Sequence, residues 1–345
     1  MGSSTPLDLT SAAEKSQGSV SSSQGKGGKW SLKKKIALGV VLAIVIIGLA
    51  VGLGVGLTVG RNGSDEDDGD GNGGNNNGND NGGNDNNSNN NNKTIWRPEV
   101  GASWQITLIK PMDVKTDLIP GVDIYDIDLF DNEKSTFDAL HDQKKKVICY
   151  FSAGSYEDWR DDAGDFEKSD LGKPLDGWPG ERWLKLSSEN VRSIMTKRIK
   201  YAAEKGCDAI DPDNVDGYQN DNGLGLQESD SVSYMTFLSQ QAQSFNMSIG
   251  LKNAGDIIPD VLPHVHFSVN EQCVEYSECE TFAAFIKDNK PVFNIEYPKE
   301  WKAASVNQQI CSEKGKAQGT EGFSIVIKDM DLDKKVEYCD GKTYS

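Results

Sequence analysis

Histidine is scarce in this chain: three in 345 residues, at positions 141, 264 and 266. An acyl-transfer triad needs a histidine next to its nucleophile, and no G-x-S-x-G elbow is present to offer that nucleophile. Zinc would need more ligands than His264 and His266, which open an apolar run instead of ending one. No C-x-x-C occurs, which removes zinc ribbons and thioredoxin-like redox chemistry. No G-x-G-x-x-G follows a strand-like run, so the dinucleotide fingerprint is missing as well. The sequence therefore points to no metal and to no dinucleotide. Residues 62–93, "NGSDEDDGDGNGGNNNGNDNGGNDNNSNNNNK", lack any apolar side chain. Such a segment cannot bury enough surface to offset ordering entropy and reads as part of a flexible stalk.

Against that stalk stands an uncharged apolar run at 36–59, "IALGVVLAIVIIGLAVGLGVGLTV". It is long enough to cross a hydrocarbon core, for which about 20 residues suffice. It begins after 35 residues and has no A-x-A exit, so it reads as a signal anchor and not as a cleaved leader. Lys26, Lys29 and Lys33–Lys35 precede it, and Arg61 and "DEDD" at 65–68 follow. The positive-inside rule then puts a disordered tail (1–35) in the cytosol and the bulk of the chain outside, a single-pass type II arrangement. Residues 60–94 form the stalk and 95–345 the folded domain.

All six cysteines, Cys149, Cys207, Cys273, Cys279, Cys311 and Cys339, lie on the extracytoplasmic side, which suits disulfides. Fifteen pairings are possible for six cysteines. Local spacing favours Cys273–Cys279, with the last two stapling the C-terminus. Asn62, Asn86, Asn92 and Asn246 begin N-x-S/T sequons, as expected of a glycoprotein. Residues 94–345 hold 44 acidic and 28 basic side chains, a net of −16, so the acidity belongs to the folded domain. That field excludes nucleic acid and attracts a cationic partner. The domain is expected to be monomeric.

Within it, eight β-branched or aromatic runs recur, at 104–109, 122–130, 146–151, 207–212, 248–253, 265–270, 291–297 and 322–328. Helix-length segments lie between them at 133–144, 189–205, 230–246, 278–289 and 303–316. In one of these, Ser187 or Ser188 caps, Val191, Ile194, Ile199 and Ala202 make the apolar stripe, and Gly206 stops the helix. Alternating strand and helix implies parallel strands, and eight in about 250 residues predict an α/β fold, a (β/α)8 TIM-type barrel. The first connection, "KPMDVKTDLIPG", is a poor helix, so one outer helix is expected to be missing.

Active sites of such barrels sit at the C-terminal strand ends. Reading those ends gives Asp126, Asp128, Tyr150, Ser152, Asp211, Asp213, Lys252, Asn253, Asn270, Glu271, Glu296, Tyr297 and Asp329. A ring of carboxylates, amides and tyrosines lines a polar pocket, and two carboxyls flanking a bond are what glycoside hydrolysis needs. Asp213 and Glu271, from the fourth and sixth runs, are the catalytic candidates, with a preference for a retaining mechanism, Asp213 as nucleophile and Glu271 as acid/base. Asp211 shares the face of Asp213 and would support it. Trp104, Tyr150 and Tyr297 would stack on sugar. The stretch "DPDNVDG" misses the calcium-loop pattern by one position, with Asn222 where the closing Glu belongs.

These segments resemble glycoside hydrolase family 114, the endo-α-1,4-polygalactosaminidases, whose fungal members include spherulin-4-like cell-surface proteins. The resemblance is carried by "WQITL" (104–108), "YDIDLFD" (125–131), "VICYFSAGSYEDWR" (147–160), "GCDAIDPDNVDGY" (206–218), "IGLKNAGD" (249–256), "FSVNEQC" (267–273) and "FNIEY" (293–297). It implies the (β/α)8 fold, no cofactor, catalytic acids at Asp213 and Glu271, and cleavage of α-1,4-linked galactosamine. For a fungal membrane-anchored member the implied substrate is galactosaminogalactan, a cationic exopolysaccharide of cell walls and biofilms. Asp128, Asp211 and Glu296 would then bind ammonium groups, and Lys252, Asn253 and Asn270 would complete the substrate site. A chitinase-like alternative is weakened because Val215 stands where D-x-x-D-x-D-x-E has its Glu. A non-catalytic polysaccharide-binding surface protein is the other alternative, and it would have no use for both acids.

Overall fold

The computed structural model describes residues 94–299 and 304–345. The expected tail, the apolar run 36–59, the stalk up to residue 93 and the sequons at Asn62, Asn86 and Asn92 lie outside these residues. Asn246 lies within them and is exposed just past the end of a helix. Among the described residues no helix is long and apolar enough to cross a membrane.

In chain order the strands are β1 (Trp104–Thr107), β2 (Ile124–Asp128), β3 (Lys146–Ser152), β4 (Ser155–Glu157), β5 (Leu171–Pro174), β6 (Glu181–Leu184), β7 (Ala209–Asp213), β8 (Ser248–Lys252), β9 (Phe267–Glu271), β10 (Val292–Glu296), β11 (Ser324–Ile327), β12 (Val336–Tyr338) and β13 (Thr343–Tyr344). Eight of them run parallel in the order β1-β2-β3-β7-β8-β9-β10-β11, one in each predicted run. Both faces of these strands are largely buried, which is why the runs read as continuous and not as alternating. The sheet curls in the manner of a TIM-like barrel. Its far edge departs from full closure, because the hairpin β12–β13 pairs antiparallel on the free edge of β11. Side chains link β11 to β1 instead: the Trp104 indole donates to the Ser324 carbonyl at 2.8 Å and Lys328 Nζ to the Ile106 carbonyl at 2.7 Å.

The helices are α1 (Lys134–Asp142), α2 (Glu189–Lys205), α3 (Glu228–Ser244), α4 (Ile258–Val261), α5 (Cys273–Tyr276), α6 (Cys279–Lys287) and α7 (Ala304–Ile310). Ser188 caps α2 by accepting from the Val191 N–H, and Gly206 ends it at φ 101°, a left-handed angle that favours glycine. No helix forms between β1 and β2, as the sequence led us to expect.

Residues 155–184 add something the sequence reading missed: a three-stranded antiparallel sheet, β4-β6-β5, inserted between β3 and α2. The disulfides are Cys149–Cys207, Cys273–Cys279 and Cys311–Cys339, matching the local pair and the C-terminal staple.

Candidate functional site

Three neighbouring strand ends bring their polar side chains to one place. Residues two apart on a strand share a face, so Asp211 and Asp213 on β7 both point inward, with Asp213 nearer the mouth. Just past β7, β8 and β9 the backbone turns left-handed at Asn214 (φ 62°), Asn253 (φ 48°) and Gln272 (φ 62°). Non-glycine residues held this way cluster at functional sites, where surrounding contacts enforce them. Gly154 explains part of the "AGS" segment. A Cβ there would sit 1.7 Å from the Asn214 carbonyl oxygen, so only glycine allows the turn after β3 to lie on the loop after β7. The side-chain amide of Asn214 in turn donates to Ser152 Oγ at 2.8 Å and Ser155 Oγ at 3.1 Å.

Lys252 stands between the two candidate acids. Its Nζ is 3.2 Å from Asp213 Oδ1 and 3.2 Å from Glu271 Oε2, and its side chain is only 3% exposed. The Tyr150 hydroxyl donates to Asp213 Oδ2 at 2.8 Å, and the Lys252 ammonium lies over the Tyr150 ring. Glu271 accepts from the Tyr297 hydroxyl at 2.6 Å and from the Asn253 amide at 3.1 Å. Burial pushes the Glu271 carboxyl up, but Lys252 and the bonds from Tyr297 and Asn253 outweigh it and hold the carboxyl below the usual range. Burial works against the Lys252 charge, yet Asp213, Glu271 and Asp211 keep it firmly an ammonium. Burial, then the charge of the adjacent acid, keeps the hydroxyls of Tyr150 and Tyr297 protonated, as donors must be.

Asp213, Glu271, Tyr150, Lys252, Asn253 and Tyr297 thus form one cluster. Of the other candidates, Asp211 lies directly beneath this cluster and the rest lie outside it. Trp104 is 1% exposed and packs on Phe293 with ring centroids 4.9 Å apart, so its ring belongs to the core. Asp128 is gripped by Arg160, Nη2 to Oδ2 at 2.7 Å, and accepts from the N–H groups of Phe130 and Asp131. Asp211 is fully buried one layer below Asp213. Asn270 accepts from the amide of Asn294 at 2.9 Å, away from the mouth. Glu296 accepts from the Val274 N–H, is pushed up to about 7 by burial, and borders a cavity of about 350 Å³ that Glu275, Lys316 and Tyr297 of the cluster also line.

Sequence reasoning did not find the buried ion network behind the site, in which Arg160 bridges Asp128 and Glu157 and Arg198 pairs with Asp162. It also overlooked Glu181 of β6, pushed up to about 8 by burial and bonded to Ser155 Oγ. The only signal for these was "YEDWR", an acid and an arginine three residues apart in a segment without helical pattern. Among the described residues no group of three or more His, Cys, Asp or Glu is arranged to hold a metal ion.

The sequence model of glycoside-hydrolase family GH114 matches residues 85–344. The crystal structure of Aspergillus fumigatus Ega3 in complex with galactosamine is similar at 53% identity and a TM-score of 0.67, over 72% of this chain and 98% of that one. The glycoside hydrolase domain of PelA from Pseudomonas aeruginosa shares the fold at 14% identity and a TM-score of 0.55, over 67% of this chain and 96% of that one. No curated protein sequence matches. The family match over most of the chain, the likeness to Ega3 and the paired carboxyls at the strand ends lead to one conclusion: this chain belongs to glycoside-hydrolase family GH114.

Proposed function

We propose that the protein is an endo-acting hydrolase that cuts α-1,4-linked galactosamine in a cationic exopolysaccharide such as galactosaminogalactan. The observation that carries this reading is the placement of Asp213 and Glu271 around one ammonium, that of Lys252. Both acids face the same small volume, as two carboxyls acting on one glycosidic bond must. Their facing oxygens each lie 3.2 Å from Lys252 Nζ, so they are at most twice that distance apart. A retaining double displacement, in which the carboxyl groups stand roughly 5–5.5 Å apart, is compatible with that bound and is the reading taken here. The 53% identity to Ega3, solved with galactosamine, supports an amino sugar as the unit bound.

In this reading Asp213 attacks the sugar and Glu271 protonates the leaving oxygen. At rest Glu271 is held ionised, chiefly against the effect of its own burial. A sugar seated between the acids parts Lys252 from Glu271, and burial then favours the protonated form that an acid catalyst needs. The curled sheet is read as a (β/α)8 barrel. The apolar run 36–59 is read as an anchor that holds a monomeric catalytic domain outside the cell.

The test is mass spectrometry of products released by the purified protein from deacetylated galactosamine polymer, with chitin oligomers in parallel. The expected result is internal cleavage of the galactosamine polymer alone, lost in both Asp213→Asn and Glu271→Gln. Breakdown that survives both substitutions would remove these residues from the mechanism.

A further inference from the structure

Asp126 on β2 and Asp211 on β7 are each 0% exposed. None of their four carboxylate oxygens accepts a hydrogen bond from any other described residue outside the pair. An ionised carboxylate in such a place is costly, and two close together repel as well. β2 and β7 are the second and fourth of the eight parallel strands, and alternate strands of such a set contribute side chains to the same interior layer. The two carboxyls lie within bonding reach of each other, a bond that can exist only if one of them keeps its proton.

The charged surroundings point the same way. Facing the pair are Asp128 on β2, already neutralised by Arg160, Asp213 on β7, Lys252 on β8 and Glu271 on β9, with the Tyr150 ring of β3 under the Lys252 ammonium. Burial first, then the charge of Asp211, pushes Asp126 well above the usual aspartate range. Burial pushes Asp211 up, Lys252 pulls it back, and Asp213 and Glu271 raise it again, leaving it at about 7.

We propose that Asp126 and Asp211 share one proton and serve as a single monoanion beneath Lys252, a positioning pair that keeps the ammonium centred between Asp213 and Glu271. The role assigned to Lys252 rests on the reading of Asp213 and Glu271 as the acting carboxyls. The pair gives Lys252 a third negative partner on its buried side, so the ammonium is not drawn wholly to one catalytic acid. Full protonation would release Lys252 toward the mouth. Full ionisation would put two adjacent anions in the interior.

The experiment uses Asp126→Asn, Asp211→Asn and the double variant. Each single change replaces an acid–carboxylate pair with an amide–carboxylate pair, keeping the charge and the donor. Each single variant is expected to lower kcat by about threefold, and the double variant, which removes the charge, by about a hundredfold with little change in KM. Difference infrared spectra of the folded wild-type protein just above neutral pH, where Asp211 has given up its proton and Asp126 keeps its own, should show the carbonyl stretch of a protonated carboxylic acid that disappears in either single variant. The wild-type melting temperature should fall as pH rises from the unfolded aspartate range until the shared proton is lost, and the single variants should lack that part of the fall. The proposal is overturned if the infrared band is unchanged in both single variants, or if each single variant is as impaired as the double. If no variant acts on galactosamine polymer because the functional reading is wrong, the infrared band and melting curves still decide whether the proton is shared.

Discussion

The Tyr297 hydroxyl donates to Glu271 Oε1 at 2.6 Å, the shortest bond that either catalytic candidate receives. It stabilises the ionised form of Glu271, alongside Lys252 and Asn253. Removing the donor in Tyr297→Phe raises the Glu271 pKa. If Glu271 acts as the acid, kcat/KM declines above its pKa, so the descending limb of the pH profile moves to higher pH. A hydrogen bond to a charged group contributes about 1.5–3 kcal/mol, so kcat should fall by about ten- to a hundredfold. Steady-state rates across pH check this, and an unmoved limb would show that the bond does not set the charge of Glu271.

Arg160 holds Asp128 and Glu157 with its own side chain only 7% exposed. Arg160→Met leaves both carboxylates buried without their cation. Breaking a buried pair in this way costs about 3–5 kcal/mol, and the melting temperature should drop accordingly. Arg160→Lys should recover only part of the loss, because it replaces the fork that reaches both acids with a single ammonium.

Stability should peak on the acidic side of neutrality. Glu181 and Glu296 are pushed up to about 8 and about 7, above their unfolded values, so the folded state holds extra protons. Their contribution is complete below the unfolded glutamate pKa and is lost as pH rises through the folded values. His266 is lowered to about 4 by burial, so its contribution is present above the unfolded histidine pKa and lost as pH falls toward 4. Calorimetry across pH checks both arms, and Glu181→Gln should flatten the alkaline one.

A domain with a net charge of −16 should draw a polycation in by long-range attraction. Raising ionic strength shortens the reach of that field. KM for deacetylated polymer should therefore rise with salt while kcat holds, and acetylated polymer should show neither the affinity nor the salt effect. Equal cleavage of both polymers would remove charge from substrate selection.

The legible parts were those set by local chemistry. Ser188, the apolar stripe of α2 and Gly206 write a helix into seventeen residues, and the β7 strand follows directly. Asp208, just ahead of that strand, binds Lys146, His141 and the Val147 N–H at the end away from the mouth. Asp213, Lys252 and Glu271 could be placed because strand ends are countable. What stayed hidden depends on pairing across long stretches of chain. Trp104 and Tyr297 are both aromatic and both near the ends of runs, yet one fills the core and the other bonds Glu271. Only the curl of the sheet separates them. The sheet β4-β6-β5 was invisible because its strands are three or four residues long and pair across a turn-rich segment.

The Cys149–Cys207 disulfide joins β3 to the segment just before β7, across a separation of 58 residues. The inserted sheet and α2 both lie inside the ring it closes, while Tyr150 and Asp213 sit on the two strands that it fastens. A protease that cuts an exposed turn within the ring, such as that at Asp176–Gly177, leaves two pieces that cannot part. The insertion can therefore be nicked, or lengthened by mutation, while the covalent tie between the two strands persists.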